Sequence, residues 1–166
     1  MTVTIRLADE RDLPRLTEIY NHYIVSTAIT FDTDPYDVET RRAWFSQFKA
    51  TGPYRLYVAE RGGSVDAYAG TTPFRPKRAY ETTVEATVYC APGTTGRGLG
   101  NELFSVLWKS LEAEDLRTAI AGITLPNDPS IKLHERFGFR LSGVMHEVGR
   151  KLGKYWDVAW YEKLLG

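Results

Sequence analysis

The sequence predicts a single α/β domain, 1–166, built on a mixed sheet flanked by helices. Three observations carry that expectation. Several short segments alternate apolar with polar residues, the period of a half-buried strand, while others repeat apolar residues at helical spacing. Arg61-Gly62-Gly63 separates two of the strand-like segments, which signals a hairpin. The strand-like run from Thr82 to Cys90 leads through a glycine-rich stretch into an amphipathic helix and then another buried strand, a crossover unit. Hairpins combined with a crossover require a mixed sheet. A chain of 166 residues suits one domain that buries roughly two thirds of its unfolded surface. Neither an internal repeat nor a low-complexity linker divides it.

Each element follows from its residues. Val3, Ile5 and Leu7 alternate with polar neighbours and predict a first strand. Asp12 is placed to cap a helix with Leu13 and Pro14 in its first turn. Leu13, Leu16, Ile19, Tyr20, Tyr23 and Ile24 then mark its apolar face. After the loop STAITFDTDPY, Asp37 is placed to cap a second helix that presents Trp44, Phe45 and Phe48. Tyr54–Glu60 and Ser64–Thr71 form the hairpin strands around Arg61-Gly62-Gly63. A helix from about Asn101 carries Leu103, Phe104, Leu107, Trp108 and Leu111. Thr118–Leu125 reads as a buried strand, and Ser130–Phe137 as a short helix ended by Gly138. Two strands rich in aromatic and β-branched residues close the chain, giving the order βαα-βββ-αβα-ββ.

Composition excludes several classes of function. Lys plus Arg equals Asp plus Glu at 21 each, so no overall field attracts nucleic acid or an acidic membrane. The lone Cys90 has no internal disulfide partner. No apolar run approaches the ~20 residues of a membrane span, and the opening MTVTIRLADERD lacks a signal-peptide pattern. No His/Cys cluster has metal-ligand spacing, so no metal is expected. The expectation is a cytoplasmic protein that engages neither nucleic acid nor membrane.

The stretch GRGLGNELF, Gly96–Phe104, holds the clearest motif. It does not match a triphosphate P-loop, because Asn101 and Glu102 stand where Lys and Ser/Thr are needed. Nor does it match the dinucleotide fingerprint, whose third glycine falls on Asn101 counted from Gly96 or Leu103 counted from Gly98. Two readings remain. The glycines form a simple turn, or they let backbone amides at a helix start wrap an anion, with Arg97 adding charge. Spacing alone leaves both open.

A resemblance separates them. ATVYCAPGTTGRGLGNELFSVL resembles the signature of the GNAT superfamily of N-acetyltransferases, whose Arg/Gln-x-x-Gly-x-Gly/Ala loop grips the pyrophosphate of acetyl-CoA. Gly98 and Gly100 fit that pattern, while Thr95 takes the place of Arg/Gln. A loop that works through backbone N–H groups is expected to lose affinity from this departure rather than binding. NDPSIKLHERFGFRLSG, Asn127–Gly143, is similar to the second signature of the family. IRLADERDLPRLTEIYNHYI, TFDTDP, PFRPKRAY, TVEATVY and EVGRKLGKYWDV resemble specifically the phosphinothricin and methionine sulfoximine acetyltransferase branch. The resemblance implies the GNAT fold, a mixed, mostly antiparallel sheet flanked by helices. It implies that Val88, Tyr89 and Cys90 pair through their backbone with the pantetheine arm of acetyl-CoA. It further implies that Gly96, Arg97, Gly98, Leu99, Gly100 and Asn101 hold the pyrophosphate and that Asn127 adds a contact.

Acetyl transfer to an amine needs a proton acceptor and a stabilised leaving thiolate. Glu85 lies in the apolar segment TVEATV, where desolvation would raise its carboxyl toward the range of a useful base. Spacing alone favours an outward strand glutamate met by solvent or an arginine; the resemblance reverses that and makes it the base. His134 stands where many GNAT enzymes carry a tyrosine that protonates the thiolate, as it does in the phosphinothricin branch, and it is suited to give or take a proton. Without that motif it reads as a helix-packing histidine, as His22 and His146 do. The resemblance makes Arg75 the partner of an acceptor carboxylate. It places Thr30, Phe31, Pro76, Lys77, Ala86 and Thr87 around the acceptor, although Lys77 also reads as part of a solvated loop. Arg150 and Lys151 fall in a branch-like motif, facing either substrate or a partner subunit.

The resulting expectation is direct transfer of acetyl from acetyl-CoA to the α-amine of a small amino-acid-like acceptor, by a homodimer. Cys90, without a base partner, is not expected to act as a nucleophile. An enzyme for protein N-termini or other amines, and a non-catalytic acyl-CoA-binding domain, are the alternatives on the same scaffold.

Overall fold

The computed structural model describes residues 2–166 and follows the predicted order element by element. Strand β1 (Val3–Leu7) leads to helices α1 (Leu13–Ser26) and α2 (Val38–Phe45), then to strands β2 (Leu56–Arg61), β3 (Ser64–Pro73) and β4 (Thr83–Cys90). Helix α3 (Leu99–Ser110), strand β5 (Thr118–Thr124) and helix α4 (Asp128–Arg136) follow, before the long closing strands β6 (Arg140–Lys151) and β7 (Lys154–Leu164). The seven strands form one sheet in the order β1-β2-β3-β4-β5-β7-β6. Every neighbouring pair is antiparallel except β4 and β5, the two strands joined by the α3 crossover.

Strand alternation divides the core into two unlike layers. Tyr57, Ala59, Ala67, Ala69, Val84 and Ala86 point to the face covered by α3, where Leu103, Phe104 and Leu107 are fully buried. Burial of each such side chain contributes about 1.5–3 kcal/mol, so this layer is the main anchor of the sheet. The intervening Leu56, Val58, Val65 and Tyr68 meet Leu16 and Ile19 of α1 and Trp44 of α2 on the opposite face. That second layer is rich in polar aromatics. Tyr20, Tyr23 and Tyr68 gather around Tyr89, and the buried Arg41 guanidinium lies 4.0 Å from the Tyr20 ring and 3.8 Å from that of Trp44.

Local details depart from the sequence reading in a few places. Asp12 does not cap α1 with its side chain. Its buried carboxylate receives two bonds from Arg6, each 2.8 Å, and one from the Asp9 amide. Asp9 instead caps the short 3-10 turn Glu10–Asp12 that precedes α1. A buried carboxylate gains more from a bidentate guanidinium than from a lone amide. Helix α3 begins at Leu99, before the expected Asn101, and α4 begins at Asp128 with Pro129 in its first turn. Asp37 caps α2 as expected, accepting from the Thr40 amide at 2.7 Å. Gly138 follows α4 at φ +88° and donates to the Glu135 carbonyl.

Candidate active site

The site begins where two strands part. β4 and β5 pair only at Thr83–Thr118, Val84–Ala119 and Glu85–Ile120. Beyond that point β4 remains with β3 as far as Cys90–Ala67, and β5 remains with β7 as far as Thr124–Val158. The edge of β4 from Ala86 onward therefore has no strand partner on the β5 side. A cleft of about 750 Å³ opens there. Ala86, Thr87, Val88, Tyr89 and Cys90 line one wall, and Ala121–Thr124 line the other.

Backbone dominates the mouth of this cleft. Gly96 and Gly98 have φ of +78° and +81°, and a Cβ at either would meet open space. The dihedral angle, rather than crowding, requires glycine at both positions. Gly98 is the residue before α3 and brings no side-chain cap, so the first-turn amides of the helix stay free to meet an anion. Gly100 lets α4 approach, since a Cβ there would lie 2.9 Å from Leu133 Cδ2. Asn101 lines the mouth with a buried Oδ1 that has no protein partner. Asn127 caps α4 through its side chain, accepting from the Ser130 amide at 3.3 Å, and also lines the cleft. Lys132 and Arg136, a turn apart on α4, add positive charge.

His134 is 3% exposed and reaches the cleft wall among the rings of Phe104 and Phe139. Its Nδ1 lies 2.7 Å from the Ser130 carbonyl. A carbonyl only accepts, so Nδ1 carries the proton. The other nitrogen, Nε2, is buried without a partner and presents a lone pair in the neutral ring. Burial pushes the imidazole below its ordinary value, against the smaller opposing effect of the Ser130 bond. In this state His134 accepts a hydrogen bond at Nε2; donating from that atom requires a second proton or a tautomer change.

Glu85 stands at the apex where the strands diverge, in register with Ile120 on one side and Thr72 on the other. By alternation it shares the α1/α2 face with Thr87 and Tyr89, whereas His134 belongs to the α3/α4 face. His134 lines the open seam between β4 and β5, whereas Glu85 sits where the seam closes, and both Glu85 and Arg75 lie outside the cleft lining. Burial pushes the Glu85 carboxyl up, and the Arg75 guanidinium pulls it back down. Arg75 is exposed and sits over the Phe74 ring at 4.9 Å.

The remaining predicted residues fall elsewhere. Leu99, the first residue of α3, has its side chain buried in the core, leaving only its backbone for a ligand, and the exposed Arg97 does not line the cleft. Pro76 and Lys77 are exposed just before a short 3-10 turn, Arg78–Tyr80, outside the cleft wall. Thr30 is buried, with its hydroxyl 2.8 Å from that of Tyr20, so it does not wall the cleft. Phe31 lies against Gly149 of β6. From that same loop it is Ile29 that reaches the cleft, next to Tyr23, whose hydroxyl donates to the Cys90 carbonyl at 2.6 Å. Ile29, Tyr23 and Ser130 escaped the sequence reading because nothing local marks them. Lys132 and Arg136 were missed as well, although their i, i+4 spacing in a short helix was a signal that could have found them. Among the described residues no group of three or more His, Cys, Asp or Glu is set to hold a metal ion, and no helix is long and apolar enough to cross a membrane.

Known proteins share this arrangement over nearly the whole chain. A phosphinothricin N-acetyltransferase from Streptomyces coelicolor is 53% identical, over 98% of this chain and 96% of its own length. An L-methionine sulfoximine/L-methionine sulfone acetyltransferase from Pseudomonas paraeruginosa is 35% identical, over 98% of this chain and 94% of its own. The crystal structure of a GNAT phosphinothricin acetyltransferase from Sinorhizobium meliloti, in complex with acetyl-CoA, superposes with a TM-score of 0.93 at 34% identity, covering 100% of this chain and 90% of that one. The model of the acetyltransferase (GNAT) domain matches residues 5–160. With the parted strands, the glycine mouth and these relatives in agreement, the chain belongs to the GNAT acetyltransferase family.

Proposed function

We propose that this protein transfers the acetyl group of acetyl-CoA directly to the α-amine of a small amino-acid-like acceptor of the phosphinothricin or methionine sulfoximine type. The observation that carries this reading is the seam between β4 and β5, which offers an unpaired strand edge leading to an amide-lined mouth. The chemistry fits acetyl-CoA. Free first-turn amides of α3 and the unpartnered Asn101 Oδ1 suit a pyrophosphate-bearing group with donors of its own. The Val88–Cys90 backbone suits the amide-bearing pantetheine arm, and Asn127 suits a contact beside it. When bound, acetyl-CoA supplies the activated acetyl thioester.

Glu85 takes the proton from the acceptor ammonium, so that a neutral amine is presented for transfer. Its raised carboxyl at the strand divergence supports that role. Arg75 holds the acceptor carboxylate and keeps Glu85 from rising too far. His134 accepts a hydrogen bond at Nε2 and steadies the reacting end of the cleft from the opposite face. The enzyme works in the cytoplasm as a homodimer on this reading. The exposed Leu141, Met145 and Val148 along edge strand β6 support an interface there.

The test is thiol release from acetyl-CoA with methionine sulfoximine, phosphinothricin, ordinary amino acids, polyamines and short peptides as acceptors. Turnover confined to the first two confirms the acceptor class. Turnover with peptides or polyamines alone retains the cofactor site and removes the amino-acid pocket. Tight acetyl-CoA binding without turnover of any amine points to a non-catalytic domain.

A further inference from the structure

The tip of the β6–β7 hairpin grips the loop between α1 and α2 through two residues outside the reacting centre. Lys151, the last residue of β6, is only 7% exposed. Its Nζ donates to the Thr30 carbonyl at 2.7 Å, joining segments separated by 121 positions. Burying a lysine is unfavourable unless its charge is met, and Asp32 on the same loop provides an opposing charge. The Asp32 carboxylate in turn accepts from the Tyr20 hydroxyl at 2.6 Å and the Tyr36 hydroxyl at 3.3 Å. Two residues before Lys151, Gly149 forms the seat for the Phe31 ring. A Cβ at Gly149 would overlap that ring.

The strand is shaped to reach this point. Pairing of β6 with β7 slips between Met145 and Gly149, and Glu147 enters the left-handed region at φ +52°. Its amide donates to Asp157 Oδ1 at 2.7 Å, which pins the bulge. Bulges of this kind re-aim the end of a strand. The Trp156 Nε1 then donates to the Lys151 carbonyl at 2.8 Å and fixes the residue from behind. On the loop, Ile29 is the immediate neighbour of Thr30 and lines the cleft.

We propose that Lys151 and Gly149 are positioning residues for the acceptor: they latch the α1–α2 loop, through the Thr30 carbonyl and the seated Phe31 ring, so that Ile29 stands at a fixed place on the cleft wall. The inference rests on the amino-acid acetyltransferase reading for its kinetic consequence, and on geometry alone for the latch. Neither residue touches the mouth where the cofactor contacts are grouped. The latch reaches the cleft only through Ile29, and its proposed effect falls on the acceptor.

Two variants test it, Lys151→Met and Gly149→Ala, with Lys151→Arg as the conservative control. Loss of a hydrogen bond from a charged donor is worth about 1.5–3 kcal/mol, roughly a 10- to 100-fold effect. Lys151→Met is expected to raise the acceptor KM by about that factor, while acetyl-CoA affinity from a binding titration changes less than about twofold. Lys151→Arg restores most of the loss, and Gly149→Ala reproduces its direction by displacing the ring. Hydrogen exchange gives a readout that needs no turnover: amides 28–32 exchange faster in Lys151→Met, with those of α3 unchanged. An acceptor KM that stays put in both variants, or that moves in step with acetyl-CoA affinity, overturns the proposal. If the wild type acetylates no amine, the functional reading fails alone; unchanged exchange at 28–32 then overturns the latch, and faster exchange upholds it.

Discussion

The two ends of the cleft are built from different materials. The mouth uses main chain, namely the Gly96–Gly98 turn, the first amides of α3 and the free edge of β4. The candidates near the strand divergence are side chains from separate elements: Glu85 on β4 and Arg75 after β3, which lie outside the cleft lining, and His134 on α4 and Ile29 of the loop held by Lys151, which belong to it. A main-chain site depends on dihedral angles and tolerates most side-chain changes that leave those angles alone. A side-chain site is sensitive to each residue and to whatever positions it. On the proposed reading the mouth therefore suits a cosubstrate common to many relatives, while acceptor choice is assigned to the apex.

Substitutions that strike one end alone will break or sharpen that contrast. Glu85→Gln removes the proposed base while keeping the shape of the apex. Turnover is expected to fall about 10²- to 10⁴-fold, with acetyl-CoA affinity by calorimetric titration left intact. The mirror-image change is Gly98→Asp, which places a carboxylate among the mouth amides and forces a non-glycine residue to φ +81°. The backbone alone costs about 1–2 kcal/mol, and charge repulsion adds to it, so acetyl-CoA affinity is expected to drop at least about tenfold. Acceptor KM at saturating acetyl-CoA should stay close to that of the wild type.

Arg75→Ala tests how the apex is tuned. Arg75 lowers the Glu85 carboxyl against the pull of burial. Without the guanidinium the carboxyl rises, so a higher pH is needed to keep the base ionised. The acidic limb of the rate profile should move to higher pH, together with a raised acceptor KM; a limb that moves down excludes the coupling.

A smaller effect is expected at His134, whose folded value lies below the ordinary 6.5. Between the folded and ordinary values the unfolded chain binds more protons, so stability rises with pH. The contribution is complete above about pH 6.5 and is lost as pH falls below it. Thermal midpoints of the wild type should therefore fall more steeply than those of His134→Gln between about pH 7 and pH 5. The mildest change is Asn127→Ala, which deletes the α4 cap. It should lower unfolding free energy in denaturant titration by about 1 kcal/mol.

Much of this contrast was legible in the chain. The element order, the hairpin at Gly62-Gly63 and the Asp37 cap are local matters, set by period, turn chemistry and the competition for free amides within a few residues. The glycine stretch was legible locally only as a turn or an anion cradle, and the family resemblance chose between them. The misreadings arose where a distant group intervened. Asp12 left its capping role because Arg6 of β1 offered a better partner. Thr30 was turned away from the cleft because Tyr20 and Lys151 claim its polar groups.

The sequence by itself determined an α/β domain with strand, glycine loop and helix in succession, and the family resemblance that made Glu85 and His134 candidates. Only the tertiary structure decided that these two residues lie on opposite faces of the sheet, that His134 holds its proton on Nδ1, and that Lys151 reaches back to the loop at Thr30. The physical reason is range. Turns and caps are settled by neighbours along the chain. Faces, tautomers and buried charges are settled by whichever groups folding brings within hydrogen-bonding distance, and sequence separation says nothing about which those are.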